Sequence, residues 1–214
     1  MEISLSILKI DYAKIGEALD ELKPELQYVH LDIMDGHFVP NISFGADLVK
    51  SIHKDSSLFF DTHLMIDHPK QYIKSFVDAG SDAITFHLEA VDHPIELIDY
   101  IHSFGVKAGI SIKPATDVTA LKPYLKYVDL ILIMSVEPGF GGQRFMPEAI
   151  EKVKYLKEEK DKHQYSYWIS IDGGIQDQTL PLVASYLDLA VVGSYITSAK
   201  NSLEKLKELK HICR

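Results

Sequence analysis

Eight short apolar runs rich in β-branched residues, each followed by an amphipathic stretch of helical period, constrain this chain more than any other feature. The runs fall at residues 3–8, 28–34, 58–64, 83–88, 107–112, 130–135, 167–171 and 189–192. The helical stretches fall at 12–22, 45–52, 69–79, 94–104, 116–125, 147–158, 178–186 and 202–212. Strict alternation of this kind implies parallel strands, because a parallel neighbour is reached only by a long right-handed return through a crossover. Eight such units in a chain of 214 residues predict an α/β fold, a single (β/α)8 or TIM barrel over residues 1–214. A doubly wound open sheet has the same local pattern. Gly80-Ser81-Asp82 and Gly105-Val106 read as helix-ending turns before the fourth and fifth strands, and no low-complexity linker interrupts the series.

Charge narrows the function classes. Lys plus Arg number 22 against 31 Asp plus Glu, giving 22 − 31 = −9, and no basic run stands out, so nucleic acid and anionic membrane are excluded as expected partners. The one cysteine, Cys213, offers neither an internal disulfide nor a thiolate cluster. The N-terminal segment lacks a basic region followed by a long apolar one, and no run approaches the ~20 apolar residues of a membrane span. A cytoplasmic location is therefore expected, and a homo-oligomer is compatible with this composition.

In a barrel, reactive groups come from the C-terminal ends of strands and the loops beyond them. The second run reads Tyr28-Val29-His30-Leu31-Asp32-Ile33-Met34, and a period of two sets His30, Asp32 and Met34 on one face with Leu31 and Ile33 on the other. The third places Asp61, His63 and Met65 together in the same way, and the seventh ends on Asp172. A lone strand histidine is commonly a core residue and a strand-end aspartate is commonly a cap. Two histidines and two aspartates at the lips of three strands instead suit a divalent metal of the zinc, manganese or ferrous kind. His87, inward on the fourth strand, is a candidate to support them. Met34, Met65 and Met134 would wall the cluster with apolar, polarizable side chains.

Glycine-bearing loops follow the last three strands: Pro138-Gly139-Phe140-Gly141-Gly142-Gln143, Asp172-Gly173-Gly174 and Val192-Gly193-Ser194. Each alone is an ordinary tight turn. Three in succession point to a phosphate, which backbone N–H groups approach closely where no Cβ intervenes.

These segments resemble the ribulose-phosphate 3-epimerase family along essentially the whole chain. Residues 30–41, from His30-Leu31-Asp32-Ile33-Met34-Asp35-Gly36 to Pro40-Asn41, look like its longest signature, and residues 134–143 look like its phosphate-loop signature. His63-Leu64-Met65 and Asp172-Gly173-Gly174 follow the expected order. The resemblance implies one divalent metal, zinc first with manganese or ferrous iron as alternatives, held by His30, Asp32, His63 and Asp172. It implies Asp32 and Asp172 as the catalytic acid/base pair. Ser6, His63, Gly141, Gly142, Gly173, Gly174, Gly193 and Ser194 are implied as contacts for a small-molecule sugar phosphate. The implied activity is interconversion of D-ribulose 5-phosphate and D-xylulose 5-phosphate, with allulose 6-phosphate or a related ketose phosphate as the alternative. Lys113-Pro114 stands where the family commonly has Asn-Pro, so a cation near the barrel mouth is expected to bear on which phosphosugar is preferred.

Overall fold

A strand buried on both faces must satisfy one set of side chains inside the barrel and another against the helices, and the alternation in this chain does both. The computed structural model describes residues 1–54 and 56–212; Cys213 lies outside them. Eight parallel strands, β1 (Glu2–Ser6), β2 (Tyr28–Met34), β3 (Phe59–Met65), β4 (Ala83–His87), β5 (Lys107–Ile112), β6 (Leu130–Met134), β7 (Trp168–Asp172) and β8 (Leu189–Val192), pair in sequence order and close β8 onto β1. The closed ring decides for the TIM barrel over the open sheet. Among the described residues, no helix is long and apolar enough to cross a membrane.

Among the described residues, seven α-helices accompany the strands: α1 (Ile15–Leu22), α2 (Ala46–His53), α3 (Ile73–Ala79), α4 (Pro94–His102), α5 (Glu148–His163), α6 (Ser194–Thr197) and α7 (Ser202–Ile212). Gly80 and Gly105 adopt the left-handed conformation at the ends of α3 and α4, as their sequence positions predict. Outward strand residues such as Leu5, Leu31, Ile33 and Ile110 join helix residues such as Leu19, Val49, Ile98 and Val153 in the main core. Inside the barrel, Leu130, Leu132, Met134, Leu189 and Val191 form a second cluster against Tyr28 and Trp168. The interior is therefore apolar along β6 and β8 and polar along β2 to β4, where His30, Asp32, Asp61, His63, Thr85 and His87 are buried.

Two expected crossover helices are absent. Residues 116–125 form only the 3-10 turn Val118–Leu121, and residues 178–186 form two, Leu180–Leu182 and Ala184–Tyr186. Each segment contains a proline, Pro123 or Pro181, which lacks the N–H a helix interior needs and clashes with the preceding turn. By contrast, α5 runs past residue 158, and the Lys157–Asp161 and Glu159–His163 pairs, each four residues apart, span its extra turn.

A repeated device closes the end of the barrel opposite the strand C-termini. Asp82, Asp129 and Asp188 each sit just before a strand and accept a backbone N–H from the strand preceding it around the ring: Phe60 at 2.8 Å, Ala108 at 2.9 Å and Ile169 at 2.9 Å.

Candidate active site

The register of β2 against β3 decides which polar side chains meet. His30 lies opposite Asp61, Asp32 lies opposite His63, and Met34 lies opposite Met65. The His30 Nδ1 and Asp61 Oδ2 atoms are 2.8 Å apart, so Nδ1–H is donated to this carboxylate and Nε2 is the ring nitrogen turned toward His63 and Asp32. Nε2 is 3.4 Å from His63 Nδ1 and 3.5 Å from Asp32 Oδ1, and His63 Nδ1 is itself 3.5 Å from Asp32 Oδ1. Asp172, from the end of β7, completes a group of four donors whose ligand atoms all lie within 4.8 Å of one another.

This donor set fits a divalent metal. Four ligands about 2.1 Å from a tetrahedral ion stand roughly 3.4 Å apart, the spacing of the three closest donors. The charges point the same way. Burial would raise the Asp32 carboxyl, but His30 and His63 hold it well below the usual carboxylate range. Burial pushes Asp172 up to about 7, helped by the Asp32 charge. His30 would be lowered by burial, yet Asp61 and Asp32 hold it well above an ordinary histidine, while burial brings His63 down to about 4. Two carboxylates repelling each other in a buried pocket are relieved by a cation between them.

The two aspartates of the cluster form the floor of a cavity of about 780 Å³ at the C-terminal ends of the strands. Ser6, Asp32, Asp172 and the three methionines Met34, Met65 and Met134 line its depth. Its upper wall is made by Gly141, Gly142, Gly173, Gly174, Gly193 and Ser194, so all three glycine-bearing loops open into one space. His30 and His63 are wholly buried beneath this floor and are not among the lining residues. Ser6 donates to Asp32 Oδ2 at 2.6 Å, which leaves the other carboxylate oxygen for the His30 and His63 side. Ser135 donates to the carbonyls of Asp172 and Gly173 at 2.9 and 2.7 Å and fixes the strand end that carries Asp172. At Gly174, with φ +63°, a Cβ would stand 2.4 Å from the amide nitrogen of Phe145, so the β6 and β7 loops touch only because no side chain is there.

Sequence reasoning placed Asp61 on the inward face without giving it a task, and it passed over Glu89. Asp61 orients His30. Glu89, two residues after His87, lies 3.4 Å from His87 Nδ1 and accepts the Lys113 N–H at 2.7 Å and the Thr116 hydroxyl. Burial would raise this carboxyl, but His87, Thr116 and the Lys113 amide hold it at about 2. The period of two that flagged His63 also contained Asp61, whereas Glu89 lies past the end of β4 in the 3-10 turn Leu88–Ala90. The Lys113 ammonium lies 3.9 Å above the centre of the Phe38 ring and is not among the residues lining the cavity.

A closed eight-stranded barrel with a polar His/Asp cluster that could hold a metal ion at its strand ends, beneath glycine loops suited to an anion, has the build of a barrel enzyme for a small polar molecule. Comparison with known proteins narrows the class. Residues 2–197 match the Ribulose-phosphate 3 epimerase family. A ribulose-phosphate 3-epimerase of Treponema pallidum is 45% identical over 191 residues, 88% of each chain. One from Aquifex aeolicus is 40% identical over 209 residues, 97% of this chain and 94% of that one. The crystal structure of KGPDC from Streptococcus mutans superposes with a TM-score of 0.74 at 16% identity, covering 99% of this chain and 96% of that one, a likeness of fold alone. The chain belongs to the ribulose-phosphate 3-epimerase family and is an isomerase.

Proposed function

We propose that the chain is one catalytic barrel that interconverts D-ribulose 5-phosphate and D-xylulose 5-phosphate, with Asp32 and Asp172 as its two acid/base groups. The observation that carries this reading is a pair of carboxylates from β2 and β7 at the floor of one cavity, beneath loops suited to phosphate. Inverting C3 of a 2-ketose requires a proton to leave one face and another to arrive on the opposite face. One aspartate takes the C3 proton, giving a 2,3-enediolate, and the other delivers a proton from the far side; the return reaction exchanges their tasks. The Ser6 hydroxyl holds Asp32 in place through Oδ2, and Ser135 holds the strand end bearing Asp172.

His30, Asp32, His63 and Asp172 would hold the divalent metal, zinc first and manganese or ferrous iron as alternatives, which supplies Lewis-acid stabilisation to oxygen charge developing beside C3. Ser6 completes the sugar end of the site, and His63, expected from the sequence to touch the sugar as well, is buried beneath the floor and serves the site through the metal. Amides of Gly141, Gly142, Gly173, Gly174, Gly193 and Ser194 receive the phosphate, so binding energy far from C3 positions the sugar. Met34, Met65 and Met134 keep water from the charged intermediate. A cytoplasmic location fits this substrate.

The deciding experiment mixes metal-replete protein with D-ribulose 5-phosphate and follows xylulose 5-phosphate, before and after exhaustive chelation. Turnover that chelation abolishes and zinc, manganese or ferrous ion restores supports the reading. Full activity in metal-free protein overturns the metal's part, and a higher kcat/KM on allulose 6-phosphate moves the substrate from pentulose to hexulose.

A further inference from the structure

Of the two metal-site histidines, His63 is the one whose outer nitrogen meets no carboxylate. Its Nε2 stands 2.8 Å from Nε2 of His87, a second wholly buried imidazole. Only one proton can lie between two ring nitrogens at that distance. If Nδ1 of His63 turns its lone pair to a metal, the His63 proton is on Nε2, and His87 must accept it. The proton of His87 then belongs on Nδ1. That atom is buried and makes no hydrogen bond among the described residues, and its ion-pair partner is the Glu89 carboxylate 3.4 Å away.

Glu89 is in turn anchored through its other oxygen by the Lys113 N–H and the Thr116 hydroxyl. The Phe38 ring, 4.8 Å from the His87 ring, packs against it, and the Lys113 ammonium lies on Phe38. Each proton position in the series is thus fixed by the next group outward, ending on the loop after β5.

We propose that Glu89 and His87 are positioning residues that set the tautomer and ring orientation of His63, so that the β5 loop controls how tightly this site holds its metal. The inference rests on the metal-binding reading above and extends it to residues that touch neither metal nor sugar. It makes the site asymmetric: His30 is oriented by Asp61 directly, and His63 by a carboxylate acting through an intervening imidazole. Partners of this kind govern affinity, and losing one typically weakens metal binding about 10–100-fold.

Zinc affinity measured by competition with a chromophoric chelator tests this, together with long-range 1H–15N histidine spectra of the zinc-loaded protein. Glu89→Gln keeps an acceptor for Thr116 and can turn an amide N–H toward His87, which opposes a proton on Nδ1. The expected result is zinc binding weakened about 10–100-fold, with His87 in the wild-type spectrum protonated at Nδ1 and His63 at Nε2. His87→Phe should weaken zinc to a similar degree. His87→Gln, whose amide oxygen can accept from His63, should recover most of the loss, which a purely space-filling role for the ring would not give. If His87→Phe fails to fold, Glu89→Gln and His87→Gln carry the comparison. Wild-type zinc affinity in Glu89→Gln, or a His87 proton found on Nε2, overturns the relay while leaving the metal reading intact. A wild-type protein that binds no zinc, manganese or ferrous ion overturns both.

Discussion

Loading zinc into the metal-free protein should release a countable number of protons, and the four donors set the count. Between about pH 4, where His63 becomes neutral, and about pH 7, where Asp172 ionises, the donors are unequally prepared. His63 is already neutral and Asp32 is already a carboxylate. Asp172 still carries its proton, and His30, held well above an ordinary histidine, carries a second on Nε2. Both must leave before four lone pairs can face one ion. Because the raised values favour the proton over the metal on the acid side, affinity rises with pH. With two protons displaced, each unit of acidification in this window should weaken zinc binding about 100-fold, or about 2.7 kcal/mol. Above about pH 7, only His30 still has a proton to give, and the dependence should relax to about tenfold per unit. Chelator-competition titrations across the window give the slope, and calorimetry in buffers of different protonation enthalpy gives the proton count independently. Asp172→Asn should reduce the slope in the acidic window from about two to about one. A pH-independent affinity, or an unchanged slope in Asp172→Asn, would refute the charge assignment on which this rests.

Metal-loaded Asp172→Asn should lose at least about 100-fold in epimerisation, the lower end of what a positioned acid/base group supplies. It should still exchange deuterium at C3 of one epimer only; near wild-type turnover in a variant shown to hold metal would remove Asp172 from the pair. Gly174→Ala drives a Cβ to 2.4 Å from the Phe145 amide at a left-handed backbone position, and thermal unfolding should show a loss of about 1–3 kcal/mol together with a raised KM. Asp82→Ala leaves the Phe60 N–H without its acceptor and should destabilise by about 1–3 kcal/mol in urea titrations while kcat stays near wild type, since the change lies at the far end of the barrel.

Much of the site was legible because it obeys the period of two. His30, Asp32, His63 and Asp172 could be assigned to the lips of their strands from spacing alone, and the fold brings these four together. The Asp61 contact was harder, since it depends on His30 lying opposite that residue and on no other, a matter of register between strands 31 positions apart. Glu89 reaches His87 only because the chain turns through the 3-10 segment Leu88–Ala90 immediately after β4. The direction of the Lys113 side chain likewise follows from Phe38, contributed by the loop after β2. The two failed helices are a different case. Pro123 and Pro181 stand inside stretches of amphipathic period, and the missing N–H outweighs that period.

The three aspartates at the closed end of the barrel bear on how accurately the open end is built. In a parallel sheet, a slip of one residue inverts every side chain, so a misaligned β3 would turn His63 toward the helices and bring Thr62 inside. Such an error would strand the Phe60 amide and the Asp82 carboxylate together, at a position only three residues, or about 10 Å, from His63. Asp129 and Asp188 impose the same check on β5 and β7, the latter being the strand that presents Asp172. Strands docked out of step would forfeit these hydrogen bonds, so the register that aims the side chains at one rim is held by contacts at the other that take no part in the chemistry. Libraries that vary the glycine loops and leave Asp82, Asp129 and Asp188 untouched should therefore keep correctly aligned barrels even where the altered loops bind nothing.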